Sequence, residues 1–420
     1  MAYEKIIKGQ PHIDDGKLAE TVRELLSYYH PKRLLLIPPD YTRLYSGAGH
    51  LVAMIIDNAD KDTVIDVMPA LGTHVPMSAE QCEAFFEGRV KHEDLIVHRW
   101  REDITRIGEV PSAFVSAVSD GLVNESIDVE ISSHIVNGNY DLILSIGQVV
   151  PHEVVGMANY SKNIFVGCGG ASMINASHML GAFYGLERIM GRDHSPVRKV
   201  FDYAEHHFLA PYPIVYMLTV TENAGGKTAF RGLYVGRERR VFESAVSDSQ
   251  KYDVIKLDRP IRKAVVYLDP REFHTTWLGN KAVYRTRMAM AEGGELIILA
   301  PGVSGFGEDP ENDRLIRKYG YVGRLRVLDL VKKSDELKKN LSVAAHLIHG
   351  SSDGHFSVTY CTKDLTKEEV EGVGYNWADL DKTLEKYGVN DLHDGFNTVG
   401  GEEIYYISNP ALGLWMTEEK

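Results

Sequence analysis

The 420-residue chain holds three cysteines, Cys82, Cys168 and Cys361, far apart and with no CxxC pair. That scarcity argues against a disulfide framework and against a cysteine-ligated zinc site, and it suits a reducing compartment. No run of 18 apolar residues occurs, and the opening MAYEKIIKGQPHIDDG lacks the apolar core of a signal peptide. Net positive charge is missing too: 46 Lys and Arg against 59 Asp and Glu leave −13. This balance disfavours nonspecific binding to nucleic acid or to anionic membranes, although a local basic cluster can still hold a small anion. There is no internal repeat and no HExxH, Walker A or GxGxxG motif. A cytoplasmic protein with a small-molecule partner is the expectation.

What the chain does contain is an ordinary globular balance, 44% hydrophobic and 25% charged, at a length that exceeds one usual core. RLLLIP (Arg33–Pro38), TVIDVM (Thr63–Met68) and YDLILSIG (Tyr140–Gly147) read as buried strands. SGAGHLVAMIIDNAD (Ser46–Asp60) and SAEQCEAFFEG (Ser78–Gly88) read as helices, the second opened by a Ser78/Gln81 capping box. Later, KAVVYLDP and GELIILAPG (Gly294–Gly302) read as strands flanking a helix across Leu278–Glu292, followed by a helix at SVAAHLIHG and a strand at HFSVTYC. The pattern predicts two α/β domains with mostly parallel sheets, residues 1–255 and 263–420, and an active site in the cleft between them. The charged stretch Lys251–Lys263 is the expected linker.

In such sheets ligands gather beyond the carboxyl ends of the strands, so the loops there carry the candidates. PPDYTR (Pro38–Arg43) brings Asp40, Thr42 and Arg43, the last a fork for a carboxylate or phosphate. ALGTHVP (Ala70–Pro76) projects His74, and GQVVPHEVVG (Gly147–Gly156) projects His152. NYSKNIFVGCGGASMINASH (Asn159–His178) sets Lys162 ahead of an apolar run and three glycines, Gly167, Gly169 and Gly170. Those glycines would permit close backbone approach to a phosphate at a helix starting near Ala171, on which His178 falls. WLGNKAVYRTRMAMAEGG (Trp277–Gly294) places Lys281, Arg285 and Met288 at helical spacing. Taken singly, each histidine or lysine could equally be a satisfied or solvated side chain. His206, His207, His346, His349 and His355 read as structural or exposed.

In order, these segments resemble the lactate racemase family, whose members use a nickel-pincer nucleotide. The carriers are Asp40–Tyr41–Thr42–Arg43, Gly72–Thr73–His74–Val75–Pro76, His152 ten residues before Lys162, and His178 sixteen residues after it. Lys281, eleven residues before Glu292–Gly293–Gly294, extends the match, so the resemblance spans about residues 33 to 302. It implies an isomerase that inverts C2 of a 2-hydroxy acid by reversible hydride transfer. The N-terminal domain would hold the cofactor covalently on Lys162 and ligate nickel through His178. His74 and His152 would be the acid/base pair, Arg43 and Lys281 would bind the substrate carboxylate, and Asp40 and Thr42 would position the cofactor or Arg43. Cofactor-synthesis enzymes are implied partners. The pattern breaks at Tyr160–Ser161, where the family has Gly-Gly, and at Leu278, where a glutamine stands in lactate racemase, next to Trp277. Those departures change the substrate pocket and point to a 2-hydroxy acid other than lactate. Two other readings are a metal-dependent hydrolase and a non-catalytic organic-anion-binding protein on the same fold.

Overall fold

The apolar run RLLLI becomes the strand β2 (Arg33–Ile37), and its side chains serve two cores at once. Leu35 and Ile37 face one cluster, while Leu34 and Leu36 face the other. This is why the run is apolar throughout rather than alternating. The computed structural model describes residues 3–224, 227–411 and 413–417. It divides into two compact units, Met1–Leu180 with Ile189–Tyr252, and Gly181–Arg188 with Asp253–Lys420.

In the first unit six strands form one sheet. They are β1 (Lys5–Ile13), β2, β3 (Val64–Val67), β4 (Leu142–Gln148), β5 (Ile214–Ala224) and β6 (Lys227–Gly236), in the order β1-β6-β5-β4-β2-β3. The run β3-β2-β4-β5 is parallel, and β1 and β6 join antiparallel at one edge. β4 lies in the interior of the sheet and every one of its residues is buried. Helices Asp15–Tyr29 and Ala48–Asn58 cover one face through Leu18, Val22, Leu25, Leu51, Val52 and Ile55. The other face is covered by Phe165, Ile174, Val197, Phe201 and Phe242. The Ser78/Gln81 capping box is present at the helix Ala79–Phe85.

The second unit has its own six-stranded sheet. Strands β7 (Ile261–Tyr267), β8 (Met290–Leu299), β9 (Phe356–Thr362), β10 (Asn376–Asp379), β11 (Gly395–Val399) and β12 (Glu402–Ile407) lie in the order β10-β9-β8-β7-β12-β11. All neighbours are parallel except β11 with β12. Mixed α/β architecture with mostly parallel sheets is therefore the fold.

Two local expectations change. The stretch Lys251–Lys263 does carry the chain from the first unit into the second, but as regular structure: it ends the helix Arg239–Asp253, forms a strand at Val254–Leu257 and enters β7. The helix expected across Leu278–Glu292 is two short pieces, Thr276–Gly279 and Lys281–Thr286, and β8 already begins at Met290. Buried Asn280 separates the pieces, its side-chain oxygen accepting from Tyr360 (2.8 Å) and Tyr375 (3.0 Å).

Candidate functional site

Three parallel strands of the first unit, β2, β3 and β4, end together, and the chain after each supplies a candidate side chain. Beyond β2, Pro38 and Pro39 stop the strand, and Asp40 caps the short turn Tyr41–Ser46 by accepting from the Thr42 N–H at 2.9 Å. The Thr42 hydroxyl donates to the same oxygen at 2.5 Å. Beyond β3, the isolated bridge Pro39–Ala70 continues the β2–β3 pairing and delivers Gly72 in the left-handed region, φ 57°. A Cβ there would stand 3.3 Å from the Val166 carbonyl, and the Gly72 N–H donates to Gly167 at 2.8 Å. Glycine at 72 thus lets the His74 loop sit against the segment that follows Lys162.

His74 Nδ1 donates to the second oxygen of Asp40 at 2.5 Å, which leaves its Nε2 as the acceptor. Asp40 is 3% exposed. Burial pushes its carboxyl up, and His74 together with the two Thr42 hydrogen bonds outweighs that and holds it below the usual carboxylate value. An anionic carboxylate orienting an imidazole is the arrangement that prepares a histidine base.

Beyond β4, Pro151–His152 pairs with Gly156–Met157 in a two-residue hairpin that buries His152 to 6% exposure. The Val154 N–H donates to His152 Nδ1 at 3.1 Å, so the proton of the neutral ring sits on Nε2. Burial pushes this imidazole well below its ordinary pKa; Lys162 and Arg43 add to that and Glu153 opposes it. Glu153 Oε2 lies 3.5 Å from the same Nδ1, where it awaits a proton on that nitrogen rather than forming an ion pair.

Lys162 opens a π-type turn, Asn163–Gly167, a distortion that often marks functional segments. Among the described residues its amine makes no hydrogen bond or ion pair. Burial, and next the Arg43 charge, lower its pKa to about 8, against the pull of Glu153 and Asp40. His178 lies on the helix Ala171–Tyr184, and its Nδ1 donates to the Ile174 carbonyl at 2.7 Å, leaving the Nε2 lone pair outward. Burial lowers it to about 4, so it is neutral at physiological pH. The Arg43 guanidinium has no carboxylate partner among the described residues. Mutual charge effects tie Arg43, Asp40, His74, His152, Glu153, Lys162 and His178 into one cluster.

The glycines before the helix serve packing rather than an open anion cradle. The Glu130 carboxylate accepts from the Ser172 N–H at 3.1 Å and would stand 2.4 Å from a Cβ at Gly170. A carboxylate already occupies that helix N-terminus.

Lys281, Trp277 and Leu278 belong to the second unit. Lys281 is 4% exposed, 3.4 Å from Glu272 and over the Phe273 ring. Trp277 stacks on His346 with ring centroids 4.2 Å apart, and Leu278 is buried. Glu153 and Arg198, which are not among the residues expected from the sequence, both act on this cluster. Glu153 adjoins His152 in sequence and could have been found from that; Arg198 gave no local signal. Among the described residues one group, Asp193, His194 and Glu243, has potential metal-ligand atoms within 4.8 Å of one another. Its Asp193 already receives Arg239 Nη2 at 2.7 Å. No described helix is long and apolar enough to cross a membrane.

Comparison with known proteins gives a consistent result. Residues 13–188 match the family described as lactate racemase N-terminal domain, a span that contains every member of the cluster above. A structural-genomics crystal structure from Thermotoga maritima is similar over 98% of this chain and 100% of that one, with a TM-score of 0.84 and 24% identity. The lactate racemase apoprotein from Thermoanaerobacterium thermosaccharolyticum is similar over 96% and 93%, with a TM-score of 0.66 and 16% identity. At these identities both establish the shared fold. None of the curated proteins matches the chain. Residues 13–188 are thus similar to the lactate racemase N-terminal domain family, and the chain as a whole shares the fold of the lactate racemase apoprotein.

Proposed function

We propose that this protein is an isomerase, a racemase or epimerase that inverts C2 of a 2-hydroxy acid with a nickel-pincer nucleotide held on Lys162. The observation that carries the reading is the single cluster at the ends of β2, β3 and β4. It combines an amine and a guanidinium that have no hydrogen-bond or ion-pair partner among the described residues, an outward imidazole lone pair and two further imidazoles. These residues fit the group. An amine with a pKa of about 8 keeps roughly a tenth to a quarter of its population neutral, hence nucleophilic, near physiological pH, against about a thousandth for an unshifted lysine. A neutral histidine whose Nδ1–H is fixed on a carbonyl is set to ligate a metal through Nε2. Lys162 would hold the nucleotide and His178 the nickel. When bound, the group supplies an acceptor for the C2 hydrogen together with its electron pair, which no side chain here offers.

The chain's own residues then divide the remaining work. Arg43 grips the substrate carboxylate through its planar fork. His74 takes the hydroxyl proton at Nε2 while Asp40 stabilises the resulting imidazolium. His152 donates Nε2–H to the substrate oxygen in its resting tautomer. It becomes the opposite base when its proton moves to Nδ1, where Glu153 can accept it. One histidine then serves each enantiomer. Lys281 is proposed as the second carboxylate-binding cation, with Trp277 and Leu278 contributing to substrate contact, and Thr42 as the support of Asp40. Leu278 offers no hydrogen bond from its side chain, which favours a substrate other than lactate. The cofactor assignment makes cofactor-synthesis enzymes necessary partners.

The test is a panel of 2-hydroxy acids scored for C2 inversion, using protein produced together with the cofactor-synthesis enzymes. At least one acid is expected to invert, and Lys162→Ala should abolish that inversion. Tight binding of organic anions without inversion, in protein shown by intact mass to carry the adduct, would establish a binding protein instead.

A further inference from the structure

Just ahead of Lys162 the backbone passes through two successive left-handed residues, Asn159 (φ 65°) and Tyr160 (φ 57°). Asparagine tolerates this region, but for tyrosine it is strained and persists only where the surroundings impose it. Against this loop lies Arg198, on the helix Pro196–Phe208 and wholly buried. Its Nη2 donates to the carbonyls of Met157 (2.8 Å) and Asn159 (3.1 Å), and its Nη1 donates to Ser161 Oγ (3.0 Å). Every side-chain hydrogen bond of this arginine therefore goes to one short loop, and its Nε has no partner among the described residues. No carboxylate lies within ion-pairing distance of it among those residues. Keeping a charge buried with no direct ion pair, only the longer-range attraction of Asp202 and Asp193, is unfavourable, and a neutral side chain would fill the same space with less penalty. The aromatic surroundings complete the grip. The Arg198 Cζ lies 4.5 Å from the Phe242 ring centroid, and Phe242 stacks on Tyr160 at 5.1 Å and 14°. The Tyr160 hydroxyl donates to the Arg237 carbonyl at 2.9 Å.

We infer that Arg198 is a positioning residue for Lys162, its three-point hold on Met157, Asn159 and Ser161 fixing the left-handed pair and so the direction in which Lys162 leaves the backbone. Released from this hold, the lysine reaches water and leaves the surroundings formed by Arg43, Glu153, Asp40, His152 and His178. The purpose of the device rests on the reading of Lys162 as the cofactor lysine, but its test needs no cofactor. The unloaded full-length protein is reductively methylated with formaldehyde and cyanoborohydride across pH 6.5 to 10.5, and Lys162 is followed by peptide mass with exposed Lys61 as the internal reference.

Arg198→Met is expected to move the half-labelling pH of Lys162 upward by about one unit, a tenfold fall in neutral amine at a given pH. Ser161→Ala, which loosens the hold but keeps the Arg198 charge that itself lowers the Lys162 pKa, should move it the same way. Arg198→Lys, which can restore only part of the hold, should recover part of that shift, and Lys61 should not move. A folded Arg198→Met protein with an unchanged Lys162 profile would overturn the inference. If that variant does not fold, Ser161→Ala and Arg198→Lys carry the comparison, and unchanged profiles in both overturn it equally. A parent protein in which Lys162 labels like Lys61 contradicts both the hold and the reading of Lys162. A parent in which Lys162 labels at lower pH, with no effect of the variants, contradicts the hold alone.

Discussion

Replacing Lys162 with methionine should stabilise the unloaded protein at neutral pH. The two side chains have similar length and flexibility, so the packing change is small. The charge change is not. The folded chain lowers this amine from 10.5 to about 8, chiefly because burial removes water from the ammonium. That difference corresponds to about 3 kcal/mol against the charged form. Because part of the side chain still reaches water, about 2 kcal/mol is the expectation. The pH dependence fixes the cause. Between pH 8 and 10.5 the unfolded chain binds the proton that the folded chain has released, so the parent gains stability as pH rises through this window. The advantage of Lys162→Met is therefore complete below pH 8 and vanishes near 10.5, shrinking by at most about 1.4 kcal/mol per pH unit. Urea unfolding of parent and variant at pH 7 and pH 10, followed by circular dichroism, measures this gap. A gap of equal size at both pH values, or a variant less stable than the parent at pH 7, would refute the reasoning.

Asp40→Asn keeps the shape of the loop but leaves His74 Nδ1 without its anionic partner; turnover should fall by about 10²–10⁴-fold with little change in KM, read from steady-state kinetics of the loaded enzyme. The same variant should flatten the acid limb of the stability curve, since the depressed Asp40 carboxyl contributes stability at neutral pH that is lost as pH falls through its folded pKa. His178→Ala should lose nickel by metal analysis of protein produced with the cofactor pathway, while the amine-labelling profile of Lys162 in unloaded protein stays near that of the parent. Arg43→Met should weaken carboxylate binding by about 2 kcal/mol, roughly a 30-fold rise in KM, measured on the first acid found to invert.

Much of this site was legible from local pattern because parallel sheets bury their strands on both faces and so write them as continuous apolar runs. RLLLI and YDLILSIG fit that description. TVIDVM forms its strand but is not buried as expected, because β3 lies at the sheet edge with Val64 exposed and Ile65 and Asp66 half-buried. The loops after the three strands hold Asp40, Arg43, His74 and His152. The capping box at Ser78 was equally local. What escaped the sequence depends on residues far apart. Asp40 and His74 are 34 positions apart, and no spacing rule joins them into a pair. The glycines at 167–170 suggested an anion cradle, but Glu130, from a different strand, fills it. The helix expected across Leu278–Glu292 is interrupted at Asn280 because that side chain serves two buried tyrosine hydroxyls supplied much later in the chain. Arg198 sits on an amphipathic helix where a charged residue normally marks the solvent face; only the fold turns it inward onto the Lys162 loop.

The most direct test of the central claim uses a 2-hydroxy acid deuterated at C2, given to nickel-loaded protein whose Lys162 adduct has been verified by intact mass. The account predicts that the inverted product keeps its C2 deuterium, because the hydrogen travels with its electron pair and never as a solvent-exchangeable proton. Inversion accompanied by loss of the label to water would contradict it.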